Sequence, residues 1–236
     1  MEKIIYAAWR KSSDTLSECN DRLLGELKDQ LLPLVHGLRI NIQDEIVASG
    51  NSPRYVVTDP QMDAIIQIWV DTSWSQIRGP IEDILAASLG QYQGWLVSES
   101  TPLKNSLYPS NVGERTQGFS QMVFLKRPAH LSFEEWQAAW QERHTKVAID
   151  TQSNFEYVQN LIVRPLQSGP SPYAAIVEEC FPIAALNDQQ LYFDSVGDPD
   201  GLTEKYAIMM ESCSHFMGEG GCDCIPTSQY DLKIPF

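Results

Sequence analysis

The chain contains no apolar run near the ~20 residues that a membrane-spanning helix requires, because Lys, Arg, Asp, Glu or Gln interrupts every hydrophobic segment. Basic residues are scarce: 17 Lys and Arg stand against 31 Asp and Glu, a formal charge of -14. Such a surface repels phosphate backbones and anionic headgroups, so neither nucleic acid nor membrane is expected as a partner. Met1-Glu2-Lys3, followed at once by Ile4-Ile5-Tyr6, carries no basic stretch and no long apolar stretch before a small-residue cleavage site, and a cytoplasmic protein is expected. The five cysteines form an odd set, which fits a reducing compartment better than a disulfide framework.

Phosphate-binding loops are missing as well. No glycine-rich turn joins a strand to a helix, and Gly218-Glu219-Gly220-Gly221 precedes a strand, where helix-terminus phosphate binding does not apply. No serine stands in a nucleophile-elbow context, and no cysteine has an evident activating base. No cofactor is therefore expected. Cys213, His215, Cys222 and Cys224 have ligand types that suit zinc. Their single-residue gaps are tighter than the usual gap of about two to four residues, so no metal is expected either.

What is present is ordered. With 43% hydrophobic and 20% charged residues over 236 positions, the chain has the apolar content of a globular protein. Lys3 to Trp9 reads as a strand; Leu16, Leu23, Leu27 and Leu31 share one helical face, ended by Pro33. A strand over 35–45, a buried strand over 63–70, a helix from Pro80 to Gly90 and a strand over 94–100 follow. After a polar stretch the order restarts: strand 119–126, helix 132–150, strands 155–166 and 174–181, helical segments within 185–217 and a strand over 222–232. Ala64-Ile65-Ile66-Gln67 and Ala175-Ile176-Val177-Glu178 hold the same third-strand place.

The expected class is α+β, with two tandem ferredoxin-like (βαββαβ) units packed sheet to sheet as an intramolecular α+β barrel. Residues 1–103 form a degenerate first unit, 104–117 a linker, and 118–236 the second unit with the site. Further association of two chains into a homodimer stays open.

The helix from Ser132 has a capping box, Ser132-Phe133-Glu134-Glu135. At about 100° per residue, Phe133, Trp136, Trp140, His144 and Val147 fall on one stripe, which places His144 toward the sheet. The helix end favours a protonated imidazole there. A core histidine satisfied by one partner is the competing reading. In the first half the matching stripe carries leucines, with Leu27 or Leu31 near the place of His144, and Gln67 stands where Glu178 does.

Lys126-Arg127, Ser132 to Trp136 with Trp140 and His144, Phe155-Glu156-Tyr157-Val158-Gln159-Asn160 and Ile176-Val177-Glu178 together resemble the EthD (ethyl tert-butyl ether degradation) family of the dimeric α+β barrel group. The resemblance covers roughly 118–220. It implies a ferredoxin-like barrel with a pocket between sheet and helices, on the side that His144 faces. Relatives act on polyketides as decarboxylases, dehydratases or cyclases, with a His beside a Tyr. By resemblance, His144 is the acid/base, with Tyr157 and Glu178 as its partners.

The function expected is a cofactor-independent lyase or isomerase acting on an aromatic or polyketide-like small molecule. Trp136, Trp140 and Phe155 would line its pocket, and Tyr157 or Asn160 would hydrogen-bond the substrate oxygen. A non-catalytic binding or accessory protein of a degradation pathway, or a cofactor-free monooxygenase, are the alternatives.

Overall fold

Thr15 and Ser132 open the two long first-crossover helices in the same way. Each side chain accepts from the backbone N–H three residues on, where Glu18 and Glu135 reach back to the cap. In the computed structural model, which describes residues 1–109, 111–168, 171–218 and 221–235, these helices are α1 (16–31) and α4 (133–151). Each contains a wide π turn, Leu23–Leu27 in α1 and Ala138–His144 in α4. Aligning the two caps puts Leu23 opposite Trp140 and Leu27 opposite His144.

The eight strands are β1 (Glu2–Trp9), β2 (Gly37–Ile42), β3 (Ala64–Val70), β4 (Gln91–Leu103), β5 (Phe119–Leu125), β6 (Glu156–Pro165), β7 (Ala175–Phe181) and β8 (Cys222–Lys233). The remaining helices are α2 (Glu45–Ala48), α3 (Ser75–Ser88), α5 (Gln189–Tyr192) and α6 (Pro199–Ser214). All strand pairs are antiparallel, and they close into one barrel in the order β1-β3-β2-β8-β5-β7-β6-β4. Within each half the strands lie fourth, first, third, second. The halves are hydrogen-bonded to each other edge to edge through β2–β8 and β4–β6. Closure removes every free sheet edge.

A closed barrel wrapped by helices buries both faces of its strands, and for that reason β3 and β7 are buried at all seven positions. Outside the first half, Leu23, Leu27 and Leu31 of α1 and Ile81 and Leu85 of α3 pack on Ile4, Leu38 and Ile68. Outside the second half, α4, α5 and α6 cover β5 to β8 with a largely aromatic layer. Inside the barrel, Ile5, Ile65, Trp95, Met122, Phe124 and Ile176 form an apolar plug. Beyond the plug the interior is polar. Glu178, fully buried, accepts from Arg39 Nη1 (3.0 Å), Asn41 Nδ2 (2.7 Å), Gln67 Nε2 (2.9 Å), Ser120 Oγ (3.0 Å) and Gln229 Nε2 (2.8 Å).

Two local expectations change. Helix α3 begins at Ser75 rather than at Pro80. The carbonyl that Pro80 leaves without a donor is that of Gln76, an exposed residue that water can serve. The short α2, capped by Asp44 accepting from Ile46 and Val47 N–H, has too few residues to show a period. Strand β5 follows directly on Gly118, whose φ of +102° and close approach to the Phe181 carbonyl leave no room for a Cβ. Ser110 of the linker, and Glu219 and Gly220 of the glycine stretch, lie outside the described residues. Among the described residues no helix is long and apolar enough to cross a membrane.

Candidate functional site

Between the second-half sheet and its helices lies a cavity of about 920 Å³. Its floor comes from alternate residues of four strands: Gln121, Val123 and Leu125 of β5, Tyr157 of β6, Val177 and Glu179 of β7, Cys222 and Cys224 of β8. Trp140 and His144 of α4 and Met209 and Cys213 of α6 form the facing wall, with Phe216 just beyond. The roof is borrowed from the first half, where Ser52 to Val57 crosses above β8, with Pro53 O accepting from Cys224 Sγ at 3.3 Å. Asp223, on the opposite face of β8, anchors that segment: it accepts from Val57 and Thr58 N–H, Gln61 Nε2 and Tyr173 Oη. At the mouth, Tyr55, Val56, Tyr206 and Met210 are exposed.

The π turn aims His144. The wider turn carries Trp140 and His144 to the same side, and such turns recur at functional sites. His144 Nδ1 is 3.0 Å from Ser212 Oγ, and its ring packs on Phe216 with centroids 4.6 Å apart. Nε2 makes no hydrogen bond among the described residues. Burial lowers the imidazole pKa to about 4, so the ring is neutral. The protonated form favoured by the helix end is overruled, because desolvation in an apolar pocket exceeds the pull of a macrodipole.

Tyr157, Glu179 and Gln121 form a polar row, directly opposite one another across β6, β7 and β5. Burial pushes the Glu179 carboxyl up to about 7, and a 3.3 Å hydrogen bond from Asn154 Nδ2 only partly offsets it. Tyr157 is raised by burial and by Glu179. Its hydroxyl accepts from Gln159 Nε2 at 3.4 Å. The Trp140 indole N–H lies near that hydroxyl and influences it, yet it has no aligned hydrogen bond and is buried without a partner. Tyr192 Oη donates to Gln121 Oε1 at 3.3 Å. In the first-half sheet the corresponding row is Leu38, Ile68 and Ile4, all apolar and all buried.

The expected site residues divide. His144, Trp140 and Tyr157 meet at the cavity. Glu178 does not reach His144. With Glu179 facing the helices, strand alternation turns Glu178 into the barrel, where Arg39 of the first half answers it. The same parity turns Asn160 inward, to donate to the Ile176 carbonyl at 3.1 Å. Trp136 and Phe155 are core: Trp136 stacks behind Trp140 at 5.1 Å, and Phe155 packs edge-on against Tyr108 at 4.7 Å. Of the adjacent carboxylates Glu178 and Glu179, between which the sequence did not decide, Glu179 is the one at the cavity. Cys213, Cys222 and Cys224 line the cavity while His215 lies outside it. Among the described residues no three His, Cys, Asp or Glu side chains are grouped to hold a metal.

Residues 128–218 match the family model of the EthD domain. That span holds α4 with His144, β7 with Glu179, and α6. No curated protein sequence matches the chain. Among solved structures, an anthrone oxidase-like protein is 6% identical, with 100% of this chain and 94% of that one covered and a TM-score of 0.53. A candidate monooxygenase from Lactobacillus acidophilus is 8% identical, covering 98% and 96%, with a TM-score of 0.46. A dye-decolorizing peroxidase from Bacteroides thetaiotaomicron is 10% identical, covering 98% and 93%, with a TM-score of 0.45. At 6% identity the likeness to the first is one of fold alone.

Proposed function

We propose, with the EthD domain at residues 128–218 as the premise, that this protein is a proton-transfer enzyme of the lyase or isomerase kind, acting on an aromatic or polyketide-like small molecule. The observation that carries the reading is a pair of titratable groups in one largely apolar cavity whose environments separate their protonation. Glu179 is held near 7 and His144 near 4. A carboxyl poised at the working pH is the more effective proton carrier, since it can take a proton and return it with little driving force lost. His144, neutral, contributes hydrogen bonding and orientation.

In the reaction that this arrangement suits, the Glu179 carboxylate removes a proton from carbon beside a substrate carbonyl. The C–H electrons pass into an enolate, whose oxygen takes a hydrogen bond from Tyr157 Oη. The protonated Glu179 then returns the proton, to another carbon in an isomerisation or to a departing hydroxyl in a dehydration. The aromatic walls exclude water, which strengthens each of these interactions.

Several observations support reading the two halves, 1–103 and 118–236 joined by 104–117, as copies of one ferredoxin-like unit. They are the repeated strand order, the paired capping boxes and the paired π turns. On that reading one chain supplies the whole barrel, and a homodimer is not needed to complete it. Five free cysteines support a reducing, cytoplasmic setting.

The test is turnover of fused-ring phenols and enolisable ketones, followed by deuterium uptake from solvent at carbon. Glu179→Gln is expected to lower kcat/KM by about 10²–10⁴, the usual worth of a general acid–base. His144→Asn is expected to lower it less. Unchanged rates in both variants would sink the reading. A ligand that binds and leaves unaltered would point to an accessory binding protein, and oxygen consumption to a monooxygenase.

A further inference from the structure

The cavity is one-sided in charge. Among the described residues no Lys or Arg lines it, whereas Glu179 at the floor and Asp188 toward the rim do. Burial keeps its cysteines as thiols, Cys222 pushed up to about 11 and Cys213 to about 12. The groups close enough to feel Glu179 are Tyr157 of β6, Tyr192 of α5, Cys213 of α6 and Cys224 of β8, and His144 on α4, elsewhere in the lining, is neutral. None is a cation. An anion entering here would lose its hydration and meet no counter-charge, a cost that buried ions escape only by pairing.

Glu179 in the cavity is also incompletely partnered. Glu179 accepts one long bond through Oε1, and its Oε2 has none among the described residues. A carboxyl oxygen without a donor calls for a ligand hydroxyl or amide N–H. The volume of 920 Å³ lies toward the top of the range of about 300–1,000 Å³ for ligand pockets, larger than a single ring fills. The cavity's accessible lining is largely apolar, with Val56, Tyr206 and Met210 exposed and Val123 and Met217 half-buried.

We infer that the cavity takes an uncharged fused-ring ligand carrying a hydrogen-bond donor for Glu179, and that it rejects the carboxylate form of the same ring system. This rests on reading the cavity as a ligand site. The probes are 2-naphthamide and 2-naphthoate, equal in shape and different in charge, titrated into the full chain at pH 8 by ligand fluorescence.

The amide is expected to bind at least about tenfold more tightly than the carboxylate, and Glu179→Gln is expected to shrink that gap at least about threefold. Lowering the pH to 5.5, where Glu179 is protonated and naphthoate still ionised, should shrink it in the wild-type protein too, which keeps the test independent of how the variant folds. Equal binding of the two probes at pH 8 would overturn the charge selection and leave the ligand site standing. Binding of neither would overturn the ligand site and the selection with it. A gap that neither the variant nor the lower pH narrows would overturn the part assigned to Glu179.

Discussion

Gln67 Nε2 donates to Glu178 Oε2 at 2.9 Å, joining the equivalent positions on the third strands of the two halves across the barrel. One residue further along each strand the pair is Ile68 and Glu179, pointing outward in opposite directions. The inward pair ties the halves together, and the outward pair sets them apart. Structure therefore resides on one face of β7 and the candidate chemistry on the other.

The inward network depends on Arg39. Burial alone would raise the Glu178 carboxyl, but the Arg39 charge and the amides of Gln229 and Gln67 outweigh it and hold it well below the usual range. Arg39→Met leaves Glu178, Glu156 and Asp231 without the guanidinium that pairs with all three. Removing one partner of a buried pair costs about 3–5 kcal/mol, and urea denaturation should show a loss of that order. Ligand affinity of the folded fraction should not change, since the network faces away from the cavity.

The two titratable groups of the cavity, Glu179 and His144, predict an unusual pH dependence of stability. Glu179 has its native pKa raised from 4.5 to about 7, so its contribution falls as pH rises through that window. His144 has its native pKa lowered from 6.5 to about 4, so its contribution rises with pH between those values. Over their common range, about 4.5 to 6.5, the two slopes cancel. Thermal melts of Glu179→Gln should gain stability with rising pH there and those of His144→Asn should lose it, each by on the order of 3 kcal/mol at full extent, after subtraction of the wild-type curve.

Exchanging equivalents should be asymmetric. Leu27→His places an imidazole in the packed first-half core, where Ile68 and Leu38 offer no hydrogen bond, and should cost about 3 kcal/mol. His144→Leu removes a desolvated polar group beside an open cavity and should be neutral or stabilising by about 1 kcal/mol. Denaturation midpoints of the two variants decide it; equal losses would contradict the contrast.

Asp223 secures the roof. It accepts from the backbone N–H of Val57 at 2.9 Å and of Thr58 at 3.2 Å. Each such bond contributes about 1 kcal/mol, so in Asp223→Ala the Val57 and Thr58 amides should exchange with deuterium at least about tenfold faster. Amides of α4 should exchange as before.

Much of this was legible in the amino-acid order, for identifiable reasons. The Ser132 capping box placed α4, leucine spacing and Pro33 placed α1, and the 3.6-residue period put His144 on the sheet-facing stripe. The choice between Glu178 and Glu179 was not legible, because β7 is buried on both faces and Ala-Ile-Val-Glu-Glu-Cys-Phe offers no alternation to read. Asn160 shared that difficulty. Trp136 and Phe155 were indistinguishable from Trp140 by residue type, since aromatic residues fill cores and line pockets alike. The roof over residues 52–57 comes from the other half of the chain, a contact that no local pattern announces.

The central claim is that Glu179 carries its proton near neutrality inside the second-half cavity. Carbon-13 NMR of protein labelled at glutamate carboxyls, titrated from pH 4 to 9 beside Glu179→Gln, tests it without a known substrate. The account predicts one carboxyl with an inflection near pH 7 that vanishes in the variant and shifts when 2-naphthamide binds. If no glutamate missing from the variant titrates above about pH 5, the claim is contradicted.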